Sequence, residues 1–337
     1  MAAERVLVTG GAGYVGAALV PRLLALGYAV RVLDLYLYGD DVLASVRGHA
    51  GLDEVKGDLR DQTLLRRVVP GCDAVIHLAC ISNDPSFELN PVLGKSINYD
   101  AFAPLVAIAK SAGVRRFIYA SSSSVYGVSD VPDVTEDHPL KPLSDYSKFK
   151  AWCEPILLDQ GTAGFVPVVV RPATLCGYSP RQRLDLTVNI LTNHAVNNRK
   201  ITVFGGSQLR PNFHIEDMVD LYAQLLREPD ERIAGQIFNA GFQNYRVADL
   251  AVIVKETVQR LLPRLGEVSI ETTPSDDLRS YHISSARILE RLGYRPSRTI
   301  EEAVRDLTRA FVDGLLPRSL EDSRYFNIRR MQDTSLQ

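Results

Sequence analysis

The sequence carries none of the features that would direct it to a membrane, a nucleic acid or an oxidising compartment. No apolar run in its 337 residues approaches the ~20 needed to span a bilayer. Its 38 basic and 40 acidic residues leave a net charge of −2, so neither nucleic acid nor an anionic membrane is expected as a partner. The short basic clusters Arg115-Arg116 and Arg329-Arg330 read as solvated surface. Cys72, Cys80, Cys153 and Cys176 are the only cysteines, and they lack the C-x-x-C spacing of a metal site. No metal is expected, and the thiols read as reduced, as in a cytoplasmic protein. The chain enters a strand within five residues, which leaves no room for a signal peptide ahead of it. There are no repeats and no low-complexity linker, so the two halves should pack tightly together.

What is present is ordinary globular composition, 46% hydrophobic and 23% charged. The length suits one large domain or one and a half. The first half alternates apolar runs with helical periodicity. Strands are predicted at 5–9, 29–34, 52–56, 74–78, 116–120 and 167–171, and helices at 17–26, 61–69, 99–112 and 144–159. Strands this apolar imply a parallel sheet covered on both faces. Right-handed crossovers then make an α/β, doubly wound (Rossmann) fold. After about Pro172 the pattern shifts to longer loops, a strand at 201–204, helices at 217–226 and 247–261, and a final helix at 299–311. The predicted organisation is a Rossmann domain over 1–172, a smaller mixed α/β substrate-binding portion over 173–320 interleaved with it, and a mobile polar tail over 321–337.

Gly10, Gly13 and Gly16 follow the first strand and open the first helix. Without Cβ atoms they let backbone N–H groups, including those of Tyr14 and Val15, approach a pyrophosphate at a helix N-terminus. Asp34 ends the next strand, where a carboxylate can accept hydrogen bonds from both hydroxyls of an adenosine ribose. It would repel a 2′-phosphate, and no arginine follows it between Leu35 and Asp41, so NAD is favoured over NADP. Asp58 and Leu59 can flank the adenine, with a turn-forming aspartate as the alternative for Asp58.

Tyr146 and Lys150 stand one helical turn apart on one face. A phenol normally titrates at about 10, and a nearby ammonium together with an oxidised nicotinamide favours the phenolate a base requires. Alone, Y-x-x-x-K is weak. Its weight comes from following the serine run Ser121–Ser124, which itself follows a strand.

With these residues the chain resembles the extended short-chain dehydrogenase/reductase family, in particular its NAD-dependent nucleotide-sugar epimerases and dehydratases, over nearly its whole length. The likeness rests on Thr9-Gly10-x-x-Gly13-x-x-Gly16, His77-Leu78-Ala79, Asn98, the serine run before Val125-Tyr126-Gly127, Tyr146 with Lys150, and Arg171-Pro172. It implies that Tyr146 is the general base, that Lys150 holds the nicotinamide ribose and tunes Tyr146, and that Ser122 is the catalytic serine. It places Leu78 and Ala79 at the cofactor and makes Asn98 a structural or cofactor-organising residue. Family dehydratases making 4-keto-6-deoxy sugars carry Asp-Glu directly after the catalytic Ser/Thr, whereas Ser123 and Ser124 stand here. That departure points to 4-epimerisation, with C4 oxidation or oxidative decarboxylation of a uronate as rivals. A non-catalytic NAD sensor is the rival of another class.

On the substrate side, Ser179–Asn189 looks like the substrate loop of members acting on nucleotide-activated sugars, including some GDP-heptose-modifying enzymes. Arg181, Arg183, Asp185 and Asn189 are its candidate contacts, each with an ordinary surface or helix role as the alternative. Arg210, in Arg210-Pro211-Asn212-Phe213-His214, and Arg279 match two arginines that meet the nucleotide diphosphate in the family. A planar guanidinium fork suits paired phosphate oxygens. Ser82, Asn83 and Asp84 follow the fourth strand, where they or Ser123 can reach a sugar, with ordinary loop polarity as the equal alternative for the first three, while His77 reads as a satisfied core histidine. The helices at 99–112 and 144–159 resemble the pair that builds a four-helix homodimer interface in the family.

Overall fold

The computed structural model describes residues 4–129, 131–274 and 282–334. Its strands are β1 (Arg5–Thr9), β2 (Ala29–Asp34), β3 (Leu52–Lys56), β4 (Ala74–His77), β5 (Arg116–Ala120) and β6 (Val166–Pro172), then β7 (Thr174–Cys176), β8 (Lys200–Phe204), β9 (Leu209–His214), β10 (Gln236–Ala240), β11 (Gln243–Arg246) and β12 (Ser269–Thr273). Seven of them form one sheet in the order β10-β6-β5-β4-β1-β2-β3, and every pairing within it is parallel. This is the expected Rossmann-like α/β fold, and the order reverses between β1 and β4.

Period-2 alternation builds the core on both faces of this sheet. Val6, Val8, Val30, Val32, Ile76, Ile118 and Val168 point into one apolar layer. Their neighbours Leu7, Leu33, Val75, Phe117, Tyr119 and Val169 point into the layer opposite. A third cluster, including Val188, Leu191, Ile201, Val203, Leu250, Val254 and Val304, lies in the C-terminal portion. There β8 pairs with β12, and β9 lies between β7 and β11 in a small mixed sheet.

Two expectations change. The helix foreseen from 99 begins at Phe102, after a π-helical turn over Ser96–Asp100 that holds Asn98 inward. The foreseen polar tail instead carries a 3-10 turn, Ser323–Tyr325, and a helix, Asn327–Thr334, with Asn327 and Met331 buried. Met331 packs with Ile81, Phe87 and Phe149, so the chain end closes over the loop that follows β4.

Candidate active site

A cleft of about 590 Å³ opens along the carboxyl ends of β1, β2, β4, β5 and β6, within the size range of small-ligand sites. Its floor is the turn after β1. Gly10 has φ +75°, and a Cβ there would lie 2.6 Å from the Ala79 nitrogen. At Gly16 a Cβ would lie 2.5 Å from the Gly10 carbonyl oxygen. Only glycine fits either position. The helix Tyr14–Ala25 starts at Gly13 with no side-chain cap, so its first-turn N–H groups and dipole are left to an anion. That cradle fits a dinucleotide pyrophosphate. Gly13, Tyr14, Val15, Leu78 and Ala79 line the same cleft.

Asp34 lines it too. Its carboxylate accepts from the Ala12 N–H at 3.0 Å and the Tyr36 N–H at 2.7 Å, which aims it. Burial pushes its pKa up, against those two hydrogen bonds. Asp58 meets both earlier descriptions, since it lines the cleft with Leu59 while accepting from the Arg60 N–H at 2.8 Å and its guanidinium at 2.7 Å. Burial pushes its carboxyl up, but Arg60 outweighs this and holds it below its ordinary value.

Tyr146, Lys150 and Ser122 converge on the same cleft. The helix Asp145–Leu158 that carries Tyr146 and Lys150 is started by a capping box between Ser144 and Ser147. Lys150 Nζ donates to the Ala120 carbonyl at 2.6 Å and lies 6.0 Å from the Tyr146 ring centre. Ser122 stands beside the Tyr146 phenol in this cleft. Its Oγ also lies 2.8 Å from Ser124 Oγ, and Ser123 completes the hydroxyl wall. Within the protein alone burial pushes the phenol up, with Cys80 and Asp84 adding to the shift, while Arg183 and Ser122 pull it down. The lowering foreseen from Lys150 is not the dominant influence within the protein alone, where burial outweighs the groups that pull the phenol down.

Arg181, Arg183, Asp185, Arg210 and Asn83 line the cleft. Asn83 has φ +73° and caps the helix Asp84–Glu88 by accepting from the Ser86 N–H at 2.9 Å. Arg210 sits on β9 opposite Tyr245. Arg279 lies outside the described residues. Asn189, foreseen as a contact, and Asn98, foreseen as a structural or cofactor-organising residue, both lie off the lining. Asn189 is fully buried, accepting from the Gly177 N–H and donating to the Tyr14 hydroxyl and the Arg183 carbonyl. Asn98 uses both ends of its amide on Ile81, at 2.8 and 2.9 Å, and so shapes the loop rather than touching a ligand. His77 is buried, hydrogen bonds Thr9 Oγ1 at 2.7 Å, and is held neutral by burial, its pKa pulled down to about 3.

Beneath the site lies a polar network that sequence reasoning overlooked. Glu154 takes Arg171 through two hydrogen bonds and Ser121 through a third, and Arg171 also donates to the Tyr126 hydroxyl at 2.7 Å. Tyr126 in turn donates to Asn239 at 2.7 Å. The network ties the serine run, the Tyr146 helix, β6 and β10 into one rigid floor.

A family model, NAD dependent epimerase/dehydratase, matches residues 6–241. The chain belongs to this family. Among relatives, it is 30% identical over 305 residues to a dTDP-glucose 4,6-dehydratase of Streptomyces griseus, covering 86% of this chain and 89% of that one. It is 28% identical over 330 residues to a UDP-glucose 4-epimerase of Yersinia pestis, covering 89% and 95%. Its structure matches that of the dTDP-glucose 4,6-dehydratase DesIV of Streptomyces venezuelae, solved with NAD bound, with TM-score 0.82, 27% identity, and 94% and 100% coverage. NAD is the family's cofactor, and the glycine cradle with Asp34 beyond it fits that dinucleotide. Among the described residues no group of side chains is arranged to hold a metal ion, and no helix is long and apolar enough to cross a membrane.

Proposed function

We propose that the protein is a nucleotide-sugar 4-epimerase acting by transient oxidation at C4, turning of the 4-ketone in the cleft, and reduction on its other face. The observation that carries this reading is the hydroxyl wall of Ser122, Ser123 and Ser124 beside Tyr146. Dehydration across C5 and C6 needs an acid and a base there, and serine does not titrate near neutral pH. Asp84 faces Tyr146 but accepts a hydrogen bond from Ser144, and one carboxylate so engaged does not replace a pair.

In this mechanism Tyr146 Oη, as phenolate, takes the proton of the sugar 4-hydroxyl, and Ser122 Oγ hydrogen bonds the reacting oxygen. Lys150, buried and fixed by the Ala120 carbonyl, holds the nicotinamide ribose and keeps positive charge near the phenolate. Bound NAD supplies the hydride acceptor and, once the ketone has turned, the donor. Tyr146 returns the proton to the 4-oxygen, so the net reaction consumes no oxidant. Arg210, with Asn83 and Ser123 nearer the sugar, seats the nucleotide diphosphate sugar in the portion of the cleft bordered by Thr187 and Gln208.

Incubation with UDP-, GDP-, ADP-, CDP- and TDP-sugars, followed by NMR, tests the reading. A C4 epimer is expected. A stable keto product or released CO₂ would instead mark a C4 dehydrogenase or decarboxylase, and turnover of no sugar would favour an NAD sensor.

We further infer a homodimer through the helices Phe102–Ser111 and Asp145–Leu158. Trp152 is 50% exposed although it packs edge-on against Tyr99 and Phe149. Val92, on the adjoining short helix, is 80% exposed. A second copy would cover both.

A further inference from the structure

Sequence reasoning set Arg181 and Arg183 against the substrate, but their surroundings lie along the cofactor's track. The loop that bears them hangs on the first residue of the pyrophosphate helix. The Tyr14 hydroxyl donates to the Gly177 carbonyl at 2.6 Å, and Ser179 Oγ donates to the Tyr14 carbonyl at 2.7 Å. Both arginines act electrostatically on Tyr14. Arg181 stacks 3.4 Å over the Tyr38 ring and acts on Asp34, at the adenosine end. Arg183 acts on Tyr146, at the nicotinamide end, and donates to Ser82 at 3.2 Å.

Both side chains are more than nine-tenths buried, and both line the cleft. Arg181 Nε and Nη1 and Arg183 Nη2 have no hydrogen-bond partner among the described residues. Buried guanidinium nitrogens without acceptors are costly, and burial pulls Arg181 down to about 10. An anion between the two would supply the missing acceptors.

We propose that Arg181 and Arg183 form a second, cationic jaw on the NAD pyrophosphate, opposite the N–H groups of the glycine turn, and that the C-terminal segment straps this jaw in place. Asn327 accepts from Arg181 at 2.5 Å and donates to Ser82 at 2.8 Å. Its backbone N–H donates to Asp185 at 2.9 Å, and Asp185 in turn accepts from Arg183 at 2.9 Å. Arg330 fastens the same helix to the loop after Asp34 through the Leu37 carbonyl at 2.6 Å. The jaw and strap hold the dinucleotide while a sugar ketone turns beside it.

The test is calorimetric binding of NAD and of ADP-ribose, which carries the same pyrophosphate, to nucleotide-stripped full-length protein. Arg181→Met and Arg183→Met should each weaken both ligands about tenfold, the size of one lost charge-assisted hydrogen bond, and leave UDP and GDP binding within twofold. Arg181→Lys should restore part of the loss. Asn327→Ala should weaken NAD several-fold without touching the arginines, and it supplies the test if a methionine variant does not fold. For the parent protein, NAD affinity should fall as salt rises. Unchanged NAD and ADP-ribose affinity in the arginine variants, with weakened UDP or GDP, would overturn the proposal and return both residues to the substrate.

Discussion

Arg171 and Glu154 meet in the interior as a doubly hydrogen-bonded pair, Nε to Oε1 at 3.0 Å and Nη2 to Oε2 at 2.6 Å, each side chain 3% exposed. The pair connects the strand that ends at Pro172 to the helix that carries Tyr146 and Lys150. Arg171→Met strands a carboxylate in the core and should cost about 3–5 kcal/mol in chemical denaturation. Arg171→Met with Glu154→Leu removes both charges and should recover most of that. A single variant as stable as the parent would mean that water reaches Glu154.

His77 should set part of the acid response. Its folded pKa, pulled down to about 3 by burial, lies below the ordinary value of about 6.5. The native state therefore stays neutral while the unfolded chain takes up a proton. The stability this confers is complete above about pH 6.5 and is lost as pH falls towards 3. By pH 5 the loss is about 2 kcal/mol. Denaturation curves of His77→Gln should be flatter between pH 6.5 and 5, and an identical slope in parent and variant would contradict the assignment.

Tyr146→Phe should lower kcat by about 10²–10⁴ with NAD affinity within twofold. Because Ser122 helps to pull the phenol pKa down against burial, Ser122→Ala should move the rising limb of the pH–rate profile to higher pH. A limb that stays in place, or moves to lower pH, would take Ser122 out of the proton path.

Trp152→Glu places a charge on the face inferred to be shared between two copies. Light scattering should show a dimer for the parent and a monomer for the variant, with NAD affinity preserved. A monomeric parent would remove the interface from the account.

Much of this was legible in the residues themselves. β1, β4, β5 and β6 are largely apolar runs buried on both faces, and burial on both faces is what such runs announce. Gly10, Gly16 and Asp34 need particular backbone or charge at fixed offsets from strand ends, so their roles travel with local sequence. Asn189 looks like a ligand contact in sequence, because nothing local says that Gly177 and Tyr14 will occupy its amide, whereas Asn98 organises the loop at Ile81 in keeping with a structural or cofactor-organising role. Glu154, on a helix, carries no local signal either, since its partner Arg171 arrives on a strand. The tail misled most. Its polar composition suggested a free end, yet Asn327 meets Ser82 and Asp185 across gaps of 245 and 142 residues. Contacts that distant have no periodicity to betray them.

The most direct test of the central claim is NMR of a turned-over nucleotide sugar in D₂O. Epimerisation predicts the C4 epimer in equilibrium with substrate, no deuterium on any carbon, and no accumulation of NADH. A 4-keto-6-deoxy sugar with solvent deuterium at C5, or NADH formed in step with product, would contradict it.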